Sequence, residues 1–254
     1  MHAGLRVTYI GGPTAFIEFA GFRVVTDPTF DPAGTEYPTA AYTLHKTQSP
    51  AAAVGDLGNV DAVLLSHDHH FDNLDHAGRR FLADVPVTYT TVAGAERLGG
   101  RARGLAPWES VDAVTASGRT VRITATPARH GPAGGDRGPC LGFVLEADGS
   151  AVYVSGDTVW FDDVEEIGRR FSISAALLNM GAARVAAAGP HALTFTAADA
   201  VQLATAWPQA TIVPLHFEGW QHFTESRADI ERAFEDAGLS ARLRWLTPGA
   251  AVSL

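Results

Sequence analysis

Apolar residues near the start of the chain fall in short runs broken by turn residues. Leu5 to Ile10, Ala15 to Phe19 and Phe22 to Thr26 are rich in Val, Ile and Phe, and are separated by Gly11-Gly12-Pro13 and by Ala20-Gly21. That pattern predicts a meander of strands joined by tight turns. Asp61 to Leu65 reads as a further strand, and Leu74, Ala77, Phe81 and Leu82 then recur at helical spacing. Strands are expected again at Val85 to Thr90, Thr120 to Ala125, Leu141 to Glu146, Ala151 to Ser155, Ala175 to Leu178, Ala210 to Val213 and Leu243 to Leu246.

Two later helices carry start signals. Thr196 precedes Ala200, Leu203, Ala204 and Trp207, with Asp199 three residues on, an approximate capping box. Thr224 precedes Ile230, Ala233, Phe234 and Ala237, and Gly238 is a natural stop. The stretch from Asp27 to Asn59 has little periodicity and carries Pro28, Pro32, Pro38 and Pro50. Long irregular segments in compact domains tend to be functional, and this one, with Tyr37, Tyr42, His45 and Lys46, is a candidate lid. No repeat or linker divides residues 1–254, which read as one domain with layers of helix, sheet, sheet and helix.

Composition narrows the function. The chain has 254 residues, 46% apolar and 19% charged, enough to bury a sizeable core without a metal or disulfide staple. A bound metal would therefore serve function. The formal charge is −9, from 19 Lys+Arg against 28 Asp+Glu. With no basic run to displace counterions, a nucleic-acid partner is not expected. The single cysteine, Cys140, allows no intrachain disulfide. The first residues lack the pattern of a signal peptide, and no apolar run approaches the ~20 residues of a membrane span. A cytoplasmic location is the expectation; oligomeric state is left open.

The histidines carry the chemistry. Of ten in the chain, four lie between positions 67 and 76, in Ser66-His67-Asp68-His69-His70-Phe71-Asp72-Asn73. If the strand before them stays extended, His67 and His69 point to the same side and form one edge of a metal site. Asp72 sits near a helix start, where the local dipole favours the ionised carboxylate. A metal centre needs further donors, and His130, Asp157 and His216 each follow an apolar strand. The expectation is that all converge on one site.

In this order of motifs the chain resembles the metallo-β-lactamase superfamily, in which a strand leads into His-x-His-x-Asp-His, followed by a later His, a strand-end Gly-Asp and a final His. Tyr9-Ile10-Gly11-Gly12-Pro13-Thr14 and Val25-Thr26-Asp27-Pro28 look most like the branch holding ascorbate-6-phosphate lactonase and N-acyl-phosphatidylethanolamine phospholipase D. The resemblance implies a four-layer αββα sandwich, with His67, His69 and His130 on a first metal, Asp157 bridging and His216 on a second. The chain departs from the pattern at one point. His70 and Phe71 both intervene before Asp72, and Asn73 stands where the second-metal His belongs. Either the loop bulges and His70 or Asp72 supplies the second-metal ligand, with Asn73 only hydrogen bonding nearby, or the second site is weak.

One or two Zn2+ ions are expected, with Mn2+ or Fe2+ as alternatives because an amide oxygen suits them better than zinc. Metal-bound hydroxide attacking a small ester, lactone or amide is the leading activity, with Asp72 orienting the water or passing its proton. A small or lipid phosphodiester substrate is the enzymatic alternative. A degenerate metal-binding protein without catalysis is the other. Trp160, Trp220 and His222 lie near the ligands and are candidate substrate contacts. His191 is a further residue that could face the site, whereas His2 and His76 read as surface.

Overall fold

The computed structural model describes residues 4–254, so the expectation for His2 falls outside the described residues. The opening meander forms as the pattern predicts. Strands β1 (Leu5–Gly11), β2 (Thr14–Phe19) and β3 (Phe22–Thr26) pair antiparallel in sequence order. Two short strands, β4 (Glu36–Pro38) and β5 (Thr43–His45), pair only with each other. They turn the irregular segment after Asp27 into a small hairpin.

β6 (Ala62–Leu64) then joins β3 in parallel, and the helix α1 (His76–Phe81) follows, capped by the Asp75 carboxylate accepting from the Gly78 amide. β7 (Thr88–Thr91), α2 (Val92–Leu98) and β8 (Ala102–Leu105) complete this half. The second sheet is built from β9 (Ser110–Val114), β10 (Thr120–Ala128), β11 (Cys140–Ala147) and β12 (Ser150–Val154), then α3 (Asp162–Arg170), β13 (Ile173–Asn179), α4 (Ala197–Ala206) and β14 (Thr211–Leu215). α5 (Arg227–Asp236) follows, and β15 (Ala251–Ser253) returns to the first sheet.

The sheet orders are β15-β1-β2-β3-β6-β7-β8 and β14-β13-β12-β11-β10-β9. Period-two alternation sends each strand's two faces into different cores. Val152 and Val154 of β12 and Ala175 and Leu177 of β13 enter the core between the sheets, against Val7, Tyr9 and Ile17. Tyr153, Ala176 and Leu178 face outward, onto Val164, Leu203 and Phe234 of the helices. Phe81 of α1 covers the far face of the first sheet with Ile10, Val25 and Val63. The result is the four-layer αββα sandwich.

Several local expectations shift. Leu243 to Leu246 is not a strand: Leu243 makes one isolated bridge to Ile212, because the segment packs on the helix-side core instead of extending the ladder. Ser226, not Thr224, caps α5, since the Thr224 hydroxyl is engaged by the Ala182 carbonyl. Thr196 caps α4 with the reciprocal Asp199 contact its spacing predicts. Among the described residues no helix is long and apolar enough to cross a membrane.

Candidate metal centre

The strands that end together deliver the site. His67 follows β6, His130 follows β10, Asp157 follows β12 and His216 follows β14, and all four are buried. Gly156 is required before Asp157: its φ is +58°, and a Cβ there would lie 2.3 Å from the Leu141 carbonyl oxygen. His216 itself takes a left-handed φ of 53°. Its amide donates to the Gly12 carbonyl at 2.8 Å, which ties β14 to the turn between β1 and β2. A non-glycine residue held in that conformation costs roughly 1–3 kcal/mol and persists where its surroundings impose it.

Three imidazoles meet on one side. The Nδ1 of His70 lies 2.9 Å from the Nε2 of His67 and 3.1 Å from the Nε2 of His130. The other nitrogens of His67 and His130 are fixed by partners. His130 Nδ1 lies 2.7 Å from the Leu193 carbonyl, so it carries the proton and leaves Nε2 with its lone pair. Ser66 Oγ donates to the Asp27 carboxylate at 2.9 Å, which leaves its lone pairs to accept from His67 Nδ1, also at 2.9 Å. Second contacts of this kind orient metal-binding imidazoles.

On the other side Asp72 Oδ2 lies 3.5 Å from His216 Nε2 and 3.0 Å from His222 Nε2. Asp157 stands between the two groups. Its Oδ1 accepts from Asn179 Nδ2 at 2.8 Å, whereas its Oδ2 is buried without a hydrogen-bond partner, 3.7 Å from both His130 Nε2 and His216 Nε2.

The electrostatics follow from burial and neighbours. Burial, reinforced by His70 and His130, drives the His67 pKa well below its ordinary value. Burial and His130 push His70 down to about 3, and burial lowers His130 although Asp157 opposes it. These three rings are neutral donors at pH 7. Burial alone would raise the Asp72 carboxyl, but His216 and His222 hold it well below the usual range. Burial opposes the His216 imidazolium, yet Asp157 and Asp72 outweigh it and raise the pKa. Asp27 is pushed up to about 7 by burial and by the charge of Asp157.

His69 stays within reach of the first side, since His67, His69 and His70 each offer a ligand atom within 4.8 Å of one another. β6 ends at Leu64, so a turn and not extended parity brings them together. The chain turns, with the Leu74 amide bonding the His70 carbonyl at 3.0 Å. His69 is exposed and its Nε2 bonds the Arg137 carbonyl at 2.8 Å, while His70 presents a nitrogen between His67 and His130. His70 therefore sits on the first side of the site and not the second, and only Asp72 of that pair reaches the second. Asn73 is fully buried and turns its amide nitrogen to Asp27 Oδ2 at 3.3 Å.

Trp160 is half-buried and packs against the helix-side core. Trp220 is buried against Tyr37 at 5.5 Å between ring centroids and under the Lys46 ammonium at 5.4 Å, a packing role beneath the hairpin. His222, expected as a substrate contact, joins the Asp72–His216 group instead. His191 and His76 are exposed. No role of its own is expected for Asp27 from the sequence, although it stands in the Val25-Thr26-Asp27-Pro28 stretch on which the resemblance rests. Tyr42 and Leu44 of the hairpin line a tight cleft with Arg137, Val185, Leu193, His70 and Asp72, and its volume of about 10 Å³ is room for about one water.

The geometry and the comparisons agree. The family described as "Beta-lactamase superfamily domain" matches residues 22–217. A UPF0173 metal-dependent hydrolase from Opitutus terrae is 30% identical over 98% of this chain and 100% of its own length. One from Pelotomaculum thermopropionicum is 29% identical over 98% of this chain and 100% of its own. Among solved structures, a possible metal-dependent hydrolase from Veillonella parvula superposes with a TM-score of 0.84 at 22% identity, covering 99% of this chain and 100% of that one. An isothiocyanate hydrolase from Delia radicum gut bacteria does so with a TM-score of 0.81 at 23% identity, covering 97% and 98%. The chain belongs to the beta-lactamase superfamily and is a metal-dependent hydrolase of the metallo-β-lactamase fold.

Proposed function

We propose that this chain is a two-metal hydrolase of small esters, lactones or amides. The observation that carries the reading is the Asp157 Oδ2 atom, buried without a partner and equidistant from His130 and His216. A buried carboxylate oxygen left unsatisfied costs on the order of 1–3 kcal/mol or more, and a bound cation would remove that cost. His67, His70 and His130, with Asp157, form the donor set of one pocket; Asp72 and His216, with Asp157, begin the other. An imidazole-rich set suits zinc. Metal ions there supply a water acidified towards neutrality and polarise the bond under attack.

The chain's own residues do the rest. Asp157 fixes the spacing of the two pockets. Asp72, held ionised by its two histidine neighbours, accepts a hydrogen bond from the attacking water and has no proton to give at neutral pH. A leaving group therefore takes its proton from water at the cleft. Leu44 and Leu193 line the tight cleft beside the centre, which favours a small acyl or lactone group over a large one.

Arg137 in the same cleft favours a second reading, since its guanidinium faces His70 and would pair with a small phosphodiester. The test is a panel of p-nitrophenyl esters, lactones, bis(p-nitrophenyl) phosphate and, prompted by the isothiocyanate hydrolase neighbour, phenyl isothiocyanate. Ester or lactone turnover that disappears on chelation and returns with zinc is expected. Turnover of the phosphodiester alone would replace the first reading with the second, and turnover insensitive to chelation would end both.

A further inference from the structure

We infer that His222 is the imidazole ligand of the second pocket, taking over from the loop after β14 the place that Asn73 leaves empty at the helix start. The inference rests on the two-metal reading above. Its Nε2 lies 3.0 Å from Asp72 Oδ2, the same oxygen that stands 3.5 Å from His216 Nε2. The three donors thus already surround one point. The His222 side chain is 10% exposed, and its Nδ1 is buried with no hydrogen-bond partner. Packing alone gives no reason to bury an imidazole in this way.

The backbone holds the ring in place before any ion arrives. The amide of Gln221 donates to the His45 carbonyl at 3.1 Å, the amide of Arg184 to the His222 carbonyl at 3.0 Å, and the amide of Thr224 to the Gly181 carbonyl at 2.9 Å. His222 is therefore pinned from one side by the β4–β5 hairpin and from the other by the loop after β13. Its ring lies 4.7 Å from that of Phe223. Such restraint lowers the ordering cost of binding.

Asn73 is the competing donor, because its amide oxygen is buried without a partner. Its amide nitrogen, however, is committed to Asp27, and Asp27 is in turn held by Ser66. An amide oxygen is also the weaker donor for zinc beside an available imidazole. The helix-start imidazole expected from the sequence pattern has thus been relocated across about 150 residues of chain to a loop that the fold brings to the same carboxylate.

The test counts zinc on full-length protein after loading and gel filtration, by mass spectrometry, with affinities from chelator competition. The native chain is expected to hold two ions, as is Asn73→Ala. His222→Ala should keep the first ion at native affinity and weaken the second by more than the roughly 10–100-fold that loss of an outer-shell partner costs. Melting of the metal-free proteins checks the fold, and His222→Gln replaces the alanine variant if that fails to fold. Two ions at native affinity in the His222 variant would overturn the inference while leaving the two-metal reading intact. So would loss of the second ion from Asn73→Ala but not from the His222 variant, or equal loss of both ions from a folded His222 variant. Fewer than two ions on the native chain would bring down the two-metal reading itself.

Discussion

His70 Nδ1 and His67 Nε2 lie 2.9 Å apart, although three positions separate the two residues and the chain between them turns. The intervening His69 turns its Nε2 to the Arg137 carbonyl. The loop thereby absorbs its extra residue before Asp72 and keeps two imidazoles directed at His130.

Replacing these neighbours separates their roles. His70→Ala should lose the first ion and lower kcat/KM by more than a hundredfold, on the order of or beyond the effect of an outer-shell deletion. His69→Ala should retain both ions and most of the activity. Metal counts and steady-state kinetics on the two variants check this; equal losses in both would mean that His69 shares the site.

Much of this centre is readable from the sequence. His67, His130, Asp157 and His216 announce themselves because each follows a run of apolar residues that reads as a buried strand; β10, β12 and β14 share the second sheet, and β6 brings His67 to them from the first. The turn that sets His70 between His67 and His130 is not readable, since it depends on where β6 stops and on the contacts of Asp68 with Arg97 and of its carbonyl with Arg79. His222 is hidden for a different reason: nothing in Trp220-Gln221-His222-Phe223 marks a ligand until the hairpin and the loop after β13 clamp it. The helix α3 is similarly faint, with only Val164 and Ile167 buried among charged neighbours, a stripe too sparse for periodicity to find. β15 is a three-residue, largely exposed strand and gives no run at all.

Acid should destabilise the metal-free protein. His67, His70 and His130 have folded pKa values below 6.5, so below that pH the unfolded chain binds their protons and the folded chain does not. Their contribution to stability is full above 6.5 and is lost as the pH falls. Asp27, raised from 3.8 to about 7, acts in the opposite sense over the same window, because its folded form keeps the proton. His216, with its pKa raised, is protonated in both states below 6.5 and contributes nothing there. Three imidazoles take up protons on unfolding against one carboxyl that releases its own, so stability falls as the pH drops below 6.5. Chemical denaturation at pH 6.5, 5.5 and 5.0 measures the slope, and His70→Gln should flatten it by about one proton; stability that is flat or rises on acidification would contradict the assignment.

The hairpin is anchored by a buried ion pair. Lys46 Nζ lies 2.9 Å from Asp75 Oδ2, with side chains 4% and 0% exposed, and it also donates to the Thr29 carbonyl. Asp75 caps α1 with its other oxygen. Lys46→Met strands that carboxylate, and breaking one side of a buried pair costs about 3–5 kcal/mol. Urea denaturation should show a loss of that order. A change below about 1 kcal/mol would mean that the pair does not hold the hairpin down.

Anomalous scattering at the zinc edge, from crystals of the zinc-loaded chain, tests the two-metal centre most directly. The account predicts two peaks flanking Asp157, one among His67, His70 and His130 and the other beside Asp72 and His216. A single peak, or a peak held by His69 with His70 turned away, would contradict it.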